Sequence, residues 1–563
     1  MMRIVTPILP QLTVRALPAT LGPWRHRIFL TIWIATLVSN FGSLIQMVGA
    51  SWLMTSLSNS ADMVALVQSS TTLPILLFAL VAGALADIHD RRIVMLAAQG
   101  LLLCTSIALA AVTALGLITP WMLLGLTFLI GCGAALHGPA WQASVGEQVP
   151  RDDLPAAVAL NSLGFNLARA LGPAIGGMIV AASGSTAAFV LNALSYFGLI
   201  TVLLRWRRPR PVSPLPPERI VPAIFAGLQY VRLSPAIRAV LFRALAFGLT
   251  ASGIWALTPL VARYTLKGGP TTYGLLLGGI GAGAVGGAFI SGWIRSRIRK
   301  ETAVRLFTAA FGLAAVIVAY SPWKPLTFAA LLVAGACWLL TVSTFNITVQ
   351  LASPRWVVGR ALSLMQMSLF GGMAAGAWVW GHLADAAGLS TALVVSGAAM
   401  IVSVLLGLVF RLAQTEKVDL EPSRAGVQLD VDVPRGLEAA PVVVTVEYRV
   451  DPADAAAFVD AMREKRRIRR RDGARRWTLM QDLANPEIWL ERFHNPSWTD
   501  YLRQRHRATI ADAEIEQRVR SFHRGEGPPT VRRLIQHRPE AAPIERRGDH
   551  PHHEPVMRQG PLH

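Results

Sequence analysis

Arg169 lies near the middle of a long apolar stretch, residues 156–183, where a charged side chain is uncommon. A guanidinium at the depth of lipid tails is costly, so such a residue is a functional candidate by default. It could bind an anionic substrate or stand near a site of proton exchange. The alternative is a structural arginine bonded to carbonyl groups and to Asn166 or Asn192. Arg243 is closer to the end of its own stretch, from which its side chain could reach water.

Uncharged polar side chains inside other apolar stretches could complete a polar cavity around Arg169. Inside a bilayer such groups need hydrogen bonds within the bundle or a water-filled space. The candidate cavity therefore consists of Arg169 with Asn40, Gln46, Asn192, Asn346 and Gln366. Several tryptophans, Trp255 and Trp338 among them, could stack against a planar cargo. Ordinary contacts between helices use the same residue types and remain the alternative.

Patterns for other kinds of chemistry are missing from the sequence. Residues 1–411 contain nine of the 33 acidic residues, and none is clearly at mid-membrane, so no proton carrier can be named. The phosphate-binding pattern G-x-x-x-x-G-K-S/T does not occur, which argues against an ATP-driven pump. The three cysteines have no metal-ligand spacing. We therefore expect no catalytic residue, no metal and no cofactor, and a gradient as the energy source.

The elements that must position these residues are membrane-spanning helices. The 563 residues are 53% apolar and 15% charged, with a mean hydropathy of +0.45. About 20 apolar residues cross a bilayer as a helix. Twelve such runs predict an all-α polytopic membrane protein, and they lie near residues 29–54, 62–86, 93–117, 119–142, 156–183, 186–204, 240–262, 271–294, 303–322, 325–350, 361–386 and 390–410.

The basic residues predict which side of the membrane each loop faces. Loops after the even-numbered runs contain sixteen Lys and Arg residues, whereas the opposite loops contain three, Arg263, Lys267 and Lys324. Positive loops stay in the cytoplasm, so both termini are predicted to be cytoplasmic. The first 28 residues lack the pattern of a cleavable signal peptide. The net charge of +20 therefore reflects membrane topology, and we expect no nucleic-acid partner.

The loop after the second run carries a recognisable motif. Residues 83–92 read GALADIHDRR. This resembles the signature loop of the major facilitator superfamily, and Gly83, Asp87, Arg91 and Arg92 occupy matching positions. The resemblance implies that these charges latch one state of a transport cycle. In the second half Arg295 stands where Asp87 stands in the first, so any latch there must differ.

The fifth run contains a second motif. Residues 172–177 read GPAIGG, three positions after Arg169, and resemble the antiporter signature G-P-x-x-G-G of exporters in the superfamily. Gly172 and Gly176 form a face that allows close helix approach, and Pro173 removes a backbone donor and favours a bend. Gly177 completes the motif. Tight packing alone explains these residues equally well.

The two sets of six runs are related to each other. An offset of 204 residues aligns Gly172 with Gly376 and Gly177 with Gly381, as expected for a carrier built from two similar halves. Over residues 25–411 the chain resembles the branch of secretion effectors that includes bacterial enterobactin exporters. This implies proton-driven efflux of a siderophore or drug-like molecule from the bacterial inner membrane.

The C-terminal region has a different character. Runs typical of strands and helices alternate between Val442 and Gln536 in the order β-α-β-β-α-β, with one helix predicted from Ser497 to His523, which suggests a ferredoxin-like sheet. The stretch from Trp489 to Arg507 resembles small dimeric α/β-barrel domains related to antibiotic-biosynthesis monooxygenases. A membrane-anchored enzyme or ligand sensor is therefore the competing hypothesis. Homodimerisation through this region is also expected from the resemblance.

These observations define the expected organisation. The predicted parts are a cytoplasmic segment 1–28, helical halves 29–204 and 240–411 joined by a cytoplasmic loop 205–239, a linker 412–440, a ferredoxin-like domain 441–538 and a disordered tail 539–563. The expected partners are the lipid bilayer, a small-molecule substrate and the proton. The sequence does not identify the cargo.

Overall fold

The computed structural model describes residues 19–150, 153–206, 220–354, 356–412 and 440–536. The predicted tail 539–563 and nearly all of the predicted linker lie outside these residues, as do most of the first 28 positions. The chain forms two compact units, Met1–Glu421 and Pro422–His563.

The first unit is a bundle of helices. Among the described residues, eleven helical segments are long and apolar enough to cross a membrane. Polar N-cap side chains set several of their starts, since Ser60, Asp90 and Thr119 each accept a hydrogen bond from a backbone N–H of the first turn. The helices are α1 (Arg27–Leu57), α2 (Ala61–Ile88), α3 (Arg91–Ala114), α4 (Pro120–Gln148), α5 (Leu154–Arg205), α6 (Ile220–Leu233), α7 (Pro235–Leu260), α8 (Pro270–Arg297), α9 (Lys300–Tyr320), α10 (Lys324–Leu351), α11 (Val358–Ala387), α12 (Leu389–Ser403) and the short α13 (Leu406–Val409). The last of the eleven segments, Leu389–Val409, joins α12 and α13.

Helix α5 combines the predicted fifth and sixth runs. Its 52 residues are interrupted at Gly184, which has φ 76° and ψ 173°. In the first part, Gly172 packs against Leu44 of α1 and Gly176 against Val48. In the second part, Gly49 of α1 meets Ala188 and Gly42 meets Ser195, so the numbering runs the opposite way. The chain therefore reverses direction at Gly184, and the two parts pack antiparallel beside α1.

The two ends of the bundle differ in charge. The Arg-rich end, as we call it, carries Arg91, Arg205, Arg297 and Arg360 near the helix ends there. The opposite end carries the turns at Ser58, Gly184 and Gly388.

Glycine contacts relate the N-terminal half, α1–α5, to the C-terminal half, α7–α13. Gly172 packs on α1, and its counterpart Gly376 packs on the carbonyl of Leu249 in α7. Gly177 packs on Gly274 of α8, and its counterpart Gly381 packs on Asp62 of α2. The 204-residue offset thus joins positions with equivalent surroundings. Helices α5 and α11 are equivalent, and each touches its own half and the other half.

The second unit is an α+β domain. Within residues 440–536 its strands are β1 (Val442–Arg449), β2 (Arg475–Gln481), β3 (Ile488–Asn495) and β4 (Thr530–Ile535). They form one antiparallel sheet in the order β2-β3-β1-β4. Three helices, α14 (Ala455–Arg471), α15 (Trp498–His506) and α16 (Ile510–Ser521), complete the domain. Val442, Val444, Val446 and Tyr448 of β1 point into its core.

One predicted helix in this domain is wrong. The region from Ser497 to His523 contains two helices, because Thr509 starts a new one. Its hydroxyl accepts from the backbone N–H of Asp512, and the Asp512 carboxylate accepts from the Thr509 N–H. This reciprocal capping box fixes a helix start inside a stretch whose polarity is compatible with a continuous helix.

Candidate functional site

Asp385 joins the two halves at the opposite end of the bundle. This residue of α11 accepts hydrogen bonds from the Ser60 hydroxyl at 2.5 Å, from the Ala61 N–H at 2.6 Å and from the Asp62 N–H at 3.0 Å. A carboxylate at a helix N-terminus also interacts favourably with the helix dipole. Asp385 therefore acts as a cap for α2 that is supplied by the other half.

Further contacts close the same end. Arg263, in a π-helical turn after α7, donates to the backbone carbonyl and, at 3.0 Å, to the hydroxyl of Thr55 in α1. A Cβ atom built on Gly177 would lie 2.6 Å from the carbonyl oxygen of Pro270 in α8. The halves are thus in direct backbone contact here, with no room for a side chain at that position.

A cavity of about 550 Å³ opens between the halves at the Arg-rich end. Helices α2 and α4 contribute Gly83, Gln142 and small apolar residues, and α11 contributes Arg360, Ser363 and Gln366. Ile224 of α6 also lines it. The volume suits a small molecule. Its lining is mostly apolar with a few polar groups, as is usual for ligand sites.

The predicted latch residues contact the N-terminal half. Arg91 donates to the carbonyl oxygen of Ala143 at 2.6 Å and pairs with Glu147 of α4 at 2.7 Å. Arg92 donates to the carbonyl oxygens of Leu203 and Leu204 at 2.7 Å each. Gly83 lines the cavity, and the side chain of Asp87 lies outside the described part of the structure. That these charges latch one state of a transport cycle is therefore a prediction that the described contacts leave untested.

The antiporter-like motif packs against one helix of each half. Gly172 and Gly176 face α1, where built Cβ atoms would lie 3.0 Å from Leu44 and from Ile45. Gly177 faces α8 in the other half, and the carbonyl of Pro173 lies against Gly274 of the same helix. One short segment therefore contacts both halves. Its predicted bending stays a prediction.

Two candidate cavity residues belong instead to a buried polar network. The Asn192 amide donates to Gln46 Oε1, and Ser106 donates to the same oxygen at 2.9 Å. Asn192 also donates to the Tyr196 hydroxyl at 3.0 Å. These hydrogen bonds connect α1, α3 and α5. Because Asn192 and Gln46 are 0% and 3% exposed, a ligand cannot reach them in this conformation.

The remaining uncharged candidates are spread over three helices. Gln366 lines the cavity at the Arg-rich end. Asn346 donates to the carbonyl of Val342 one turn earlier in α10. Asn40 is half-buried on α1, as is Asn346 on α10. The structure thus brings together Gln46 with Asn192, and it does not unite all six residues in one chamber.

Arg169 meets an aromatic side chain of the other half. Its guanidinium carbon lies 5.2 Å from the ring centroid of Trp255 in α7. A cation–π contact contributes about 2 kcal/mol when it is desolvated, whereas placing an arginine at the centre of a membrane helix costs about 2.5–3.5 kcal/mol. Within the described ranges its guanidinium has no hydrogen bond or ion pair. Asn166 donates to Ser162 and Asn192 to the buried network, so neither is its partner.

Arg243 behaves differently from Arg169. It is 5% exposed and pairs with Glu301 of α9 at 2.7 Å. Glu301 also pairs with Arg305 and accepts from the Leu412 N–H. The expectation that Arg243 reaches water is therefore wrong, because a carboxylate within the half compensates its charge.

The α+β domain contains its own buried ion cluster. Lys465 of α14 is 2% exposed and lies 3.2 Å from Glu491 and 3.1 Å from Glu516. Burial would raise the pKa of Glu516, but the positive charges of Arg469 and Lys465 outweigh it and lower that pKa to about 2. For Glu491 burial is likewise outweighed by Lys465 and Arg469, and its pKa is lowered. The cluster joins the helices to the sheet.

Sequence reasoning missed the contacts that close the opposite end. The pairing of Asp385 with Ser60 joins residues more than 300 positions apart in the sequence. No local pattern identifies such a partner. The 204-residue offset contained the relevant signal, because it matches Gly381, which packs on Asp62, with Gly177.

Comparison with known proteins gives a consistent result. The family model described as transmembrane secretion effector matches residues 18–540. The multidrug efflux pump Tap of Mycobacterium tuberculosis is 26% identical over 422 residues, which cover 72% of this chain and 97% of the relative. The enterobactin exporter EntS of Salmonella choleraesuis is 30% identical over 358 residues, which cover 60% and 82%.

Solved structures share the fold of the helical unit. One is a bacterial homologue of the human lysosomal transporter Spinster in an inward-facing, unoccupied conformation, with a TM-score of 0.53 and 13% identity. The match covers 69% of this chain and 95% of that one. A POT family transporter in complex with 5-aminolevulinic acid gives a TM-score of 0.56 at 14% identity, with coverage of 68% and 96%.

Proposed function

Because the chain belongs to the transmembrane secretion effector family of major facilitator transporters, we propose that it exports a small molecule by alternating access in exchange for protons. It is a multi-pass membrane protein and an efflux transporter, not an enzyme. The names of its relatives suggest cargo of the drug or siderophore kind. The competing hypothesis of a membrane-anchored enzyme is not favoured.

One observation carries the mechanistic part of this proposal. The halves touch at the opposite end through Asp385, Arg263 and Gly177, and they leave a cavity of about 550 Å³ at the Arg-rich end. A carrier needs a site that opens to one side at a time. With the Arg-rich end in the cytoplasm, this conformation is ready to take up cargo from inside the cell.

Charge and geometry support the proposed orientation and the proposed number of crossings. Positive residues concentrate at one end of the bundle, which favours a cytoplasmic location for that end and for both termini. The reversal at Gly184 divides α5 into two antiparallel parts. We therefore propose twelve crossings of a bacterial inner membrane.

Exchange for protons is supported by the antiporter-like motif of residues 172–177, in which Gly177 packs on Gly274 of α8 in the other half. The motif therefore lies where movement of one half against the other would be felt.

The export proposal is tested in everted membrane vesicles, in which the cytoplasmic face is outside. Vesicles with this protein should accumulate at least one compound from a panel of drugs and catecholate siderophores when their interior is acid, and a protonophore should abolish the accumulation. The matched control is Gly177→Leu, in which the new side chain blocks the contact with α8. Equal accumulation by vesicles with and without the protein would contradict the proposal.

For the α+β domain we propose a ferredoxin-like fold of the monooxygenase-related type that forms homodimers. The strand order β2-β3-β1-β4 and the element order support the fold. The core places the helices on one face of the sheet, so Val443 with its partners His494 and Leu534 lies on the other face. Leu534 is 53% exposed. In a homodimer, the same sheet face of the second chain would cover Leu534.

The dimer is tested by the mass of the detergent-solubilised full-length protein. We expect a dimer for the native chain and a monomer for Leu534→Lys, with Ile510→Lys, which changes an exposed residue of α16, as the control. A monomeric native chain would contradict the dimer and leave the transport proposal unaffected.

A further inference from the structure

We propose that Arg169 and Trp255 form the recognition site for a cargo that is both aromatic and anionic. This inference rests on the proposed export function and names the chemical class that the site selects. It concerns the contact between α5 of one half and α7 of the other, where the guanidinium lies 5.2 Å from the indole centroid.

Arg169 has hydrogen-bonding capacity that its described neighbours leave unmet. A guanidinium has five N–H donors and no acceptor. A ring face compensates part of its charge but accepts none of these hydrogen bonds in the usual geometry. No oxygen of the described residues accepts one either. Arginines at this depth normally pair or line a substrate path.

Trp255 adds another hydrogen-bond donor beside Arg169. Its indole Nε1 is buried and has no hydrogen-bond partner within the part of the chain that the structure describes. A buried N–H without an acceptor is costly. Two donor groups from different halves therefore lie together without an acceptor, and an anionic oxygen would satisfy both.

No negative charge among the described side chains lies beside Arg169. Arg243 has Glu301 as its partner, but the acids described in the helical unit lie toward the two ends of the bundle, not beside Arg169. They are Asp62 and Asp385 at one end, and Asp90, Glu147, Asp153 and Glu301 at the Arg-rich end. A cationic cargo would meet an uncompensated guanidinium. A negatively charged cargo would neutralise it.

The aromatic preference comes from the surroundings of Trp255. The ring of Trp338 lies 5.6 Å from it in an edge-to-face arrangement, and Phe247 lies 5.4 Å from Trp338. Stacked and edge-to-face contacts favour planar ligands. The cargo class is therefore a planar ring that carries a carboxylate, sulfonate or phenolate.

The location between the halves links binding to the cycle. Arg169 moves with the N-terminal half and Trp255 with the C-terminal half. When the halves rock, the two donors separate, and a ligand held by both loses one of them. The ligand therefore binds one conformation more tightly than the other, and this difference in affinity allows it to shift the equilibrium between them.

The test measures binding to the purified full-length protein by equilibrium dialysis. The probes are 2-naphthoate and its neutral isostere 2-naphthamide at pH 7.5. We expect the native protein to bind naphthoate at least tenfold more tightly than naphthamide. Arg169→Gln should remove this preference while Arg169→Lys keeps part of it. Trp255→Phe should weaken naphthoate binding several-fold because it keeps a ring but loses the N–H.

Arg238→Gln is the matched control, because it removes an exposed arginine from the same helix as Trp255. It should leave both affinities unchanged. Equal or absent binding of the two probes by the native protein would overturn the proposal, and so would an unchanged preference in a folded Arg169→Gln variant. The native comparison decides the question even if that variant does not fold.

Export measurements distinguish an error in the proposed anion site from an error in the proposed export function. Gradient-driven export of a neutral or cationic compound that Arg169→Gln leaves intact would reject the anion site and retain the exporter. A native protein that exports no compound of the panel would reject the export function itself.

Discussion

At the scale of single residues, charge compensation separates structural groups from functional ones. Arg243 and Lys465 are buried, and each has a carboxylate partner. Arg169 has an aromatic ring and no acceptor among the described residues. The sequence identified Arg169 by its depth in an apolar run. It could not show that Arg243 is paired, because Glu301 lies 58 positions away on another helix.

Replacing Lys465 tests the buried cluster of the α+β domain. Lys465→Met leaves Glu491, which is 0% exposed, without its nearest positive group. Breaking a buried ion pair from one side costs about 3 kcal/mol. Hydrogen exchange of β1 and β3 in the full-length protein should accelerate accordingly. Arg463→Met on the same helix removes an exposed pair with Asp460 and should change nothing measurable.

The same cluster predicts how stability depends on pH. The pKa of Glu516 is lowered to about 2 by Arg469 and Lys465 despite its burial, whereas an unfolded glutamate titrates near pH 4.3. The stabilisation that the ionised Glu516 carboxylate gives to the folded domain is therefore complete above about pH 5. It is lost as the pH falls toward 2, because the carboxylate is then protonated. Exchange protection of the sheet, corrected for intrinsic rates, should decline over this range. Glu516→Gln should show lower protection at pH 7 and a weaker decline.

Asp385→Asn tests the contact that closes the opposite end. The amide keeps one acceptor and loses the charge, which should weaken the cap of α2 by about 1 kcal/mol. The open fraction should rise about fivefold, and a cysteine at the buried position Ala65 should react faster with a water-soluble maleimide. Asp153→Asn, which disrupts a pair with His26 within one half, is the control. Equal reaction rates in the two variants would argue against the cap.

At the scale of elements, the apolar runs predicted the helices well and the boundaries between helices less well. Ten of the twelve runs correspond to separate long helices. The other two form α5, because the break between residues 183 and 186 is a single-residue reversal at Gly184. The helix break at Thr509 was missed for the converse reason, since a capping box can start a helix without any loss of apolar periodicity.

Gly184→Ala tests the reversal inside α5. A Cβ atom at Gly184 would meet nothing within 4 Å, so any cost arises from its φ of 76° and ψ of 173°, a region reserved for glycine. We expect a loss of about 1–3 kcal/mol, seen as a lower midpoint of thermal unfolding in detergent. Gly198→Ala, in the same helix and also without neighbours, should keep or raise the midpoint. Equal midpoints would contradict a strained turn.

At the scale of the whole molecule, function depends on how two halves pack against each other, which local sequence patterns alone do not give. The sequence predicted both halves, the positive end and the cargo candidates. It did not predict that Gln46 and Asn192 would be sealed in a network while Gln366 lines the cavity. Which polar groups face the cavity depends on helix rotation and on the state of the cycle. In this conformation α5 and α8 pack closely at Gly177 and Gly274.

Paired spin-label distances across the two ends test the central claim of alternating access most directly. One pair, Asn59→Cys with Ala386→Cys, spans the opposite end, and the other, His89→Cys with Arg297→Cys, spans the Arg-rich end. Both are placed in a background with Cys104, Cys132 and Cys337 replaced by Ser. Protonation together with an exported cargo should lengthen the first distance and shorten the second. Two distances that stay fixed, or that change in the same direction, in a protein that still exports would contradict this mechanism.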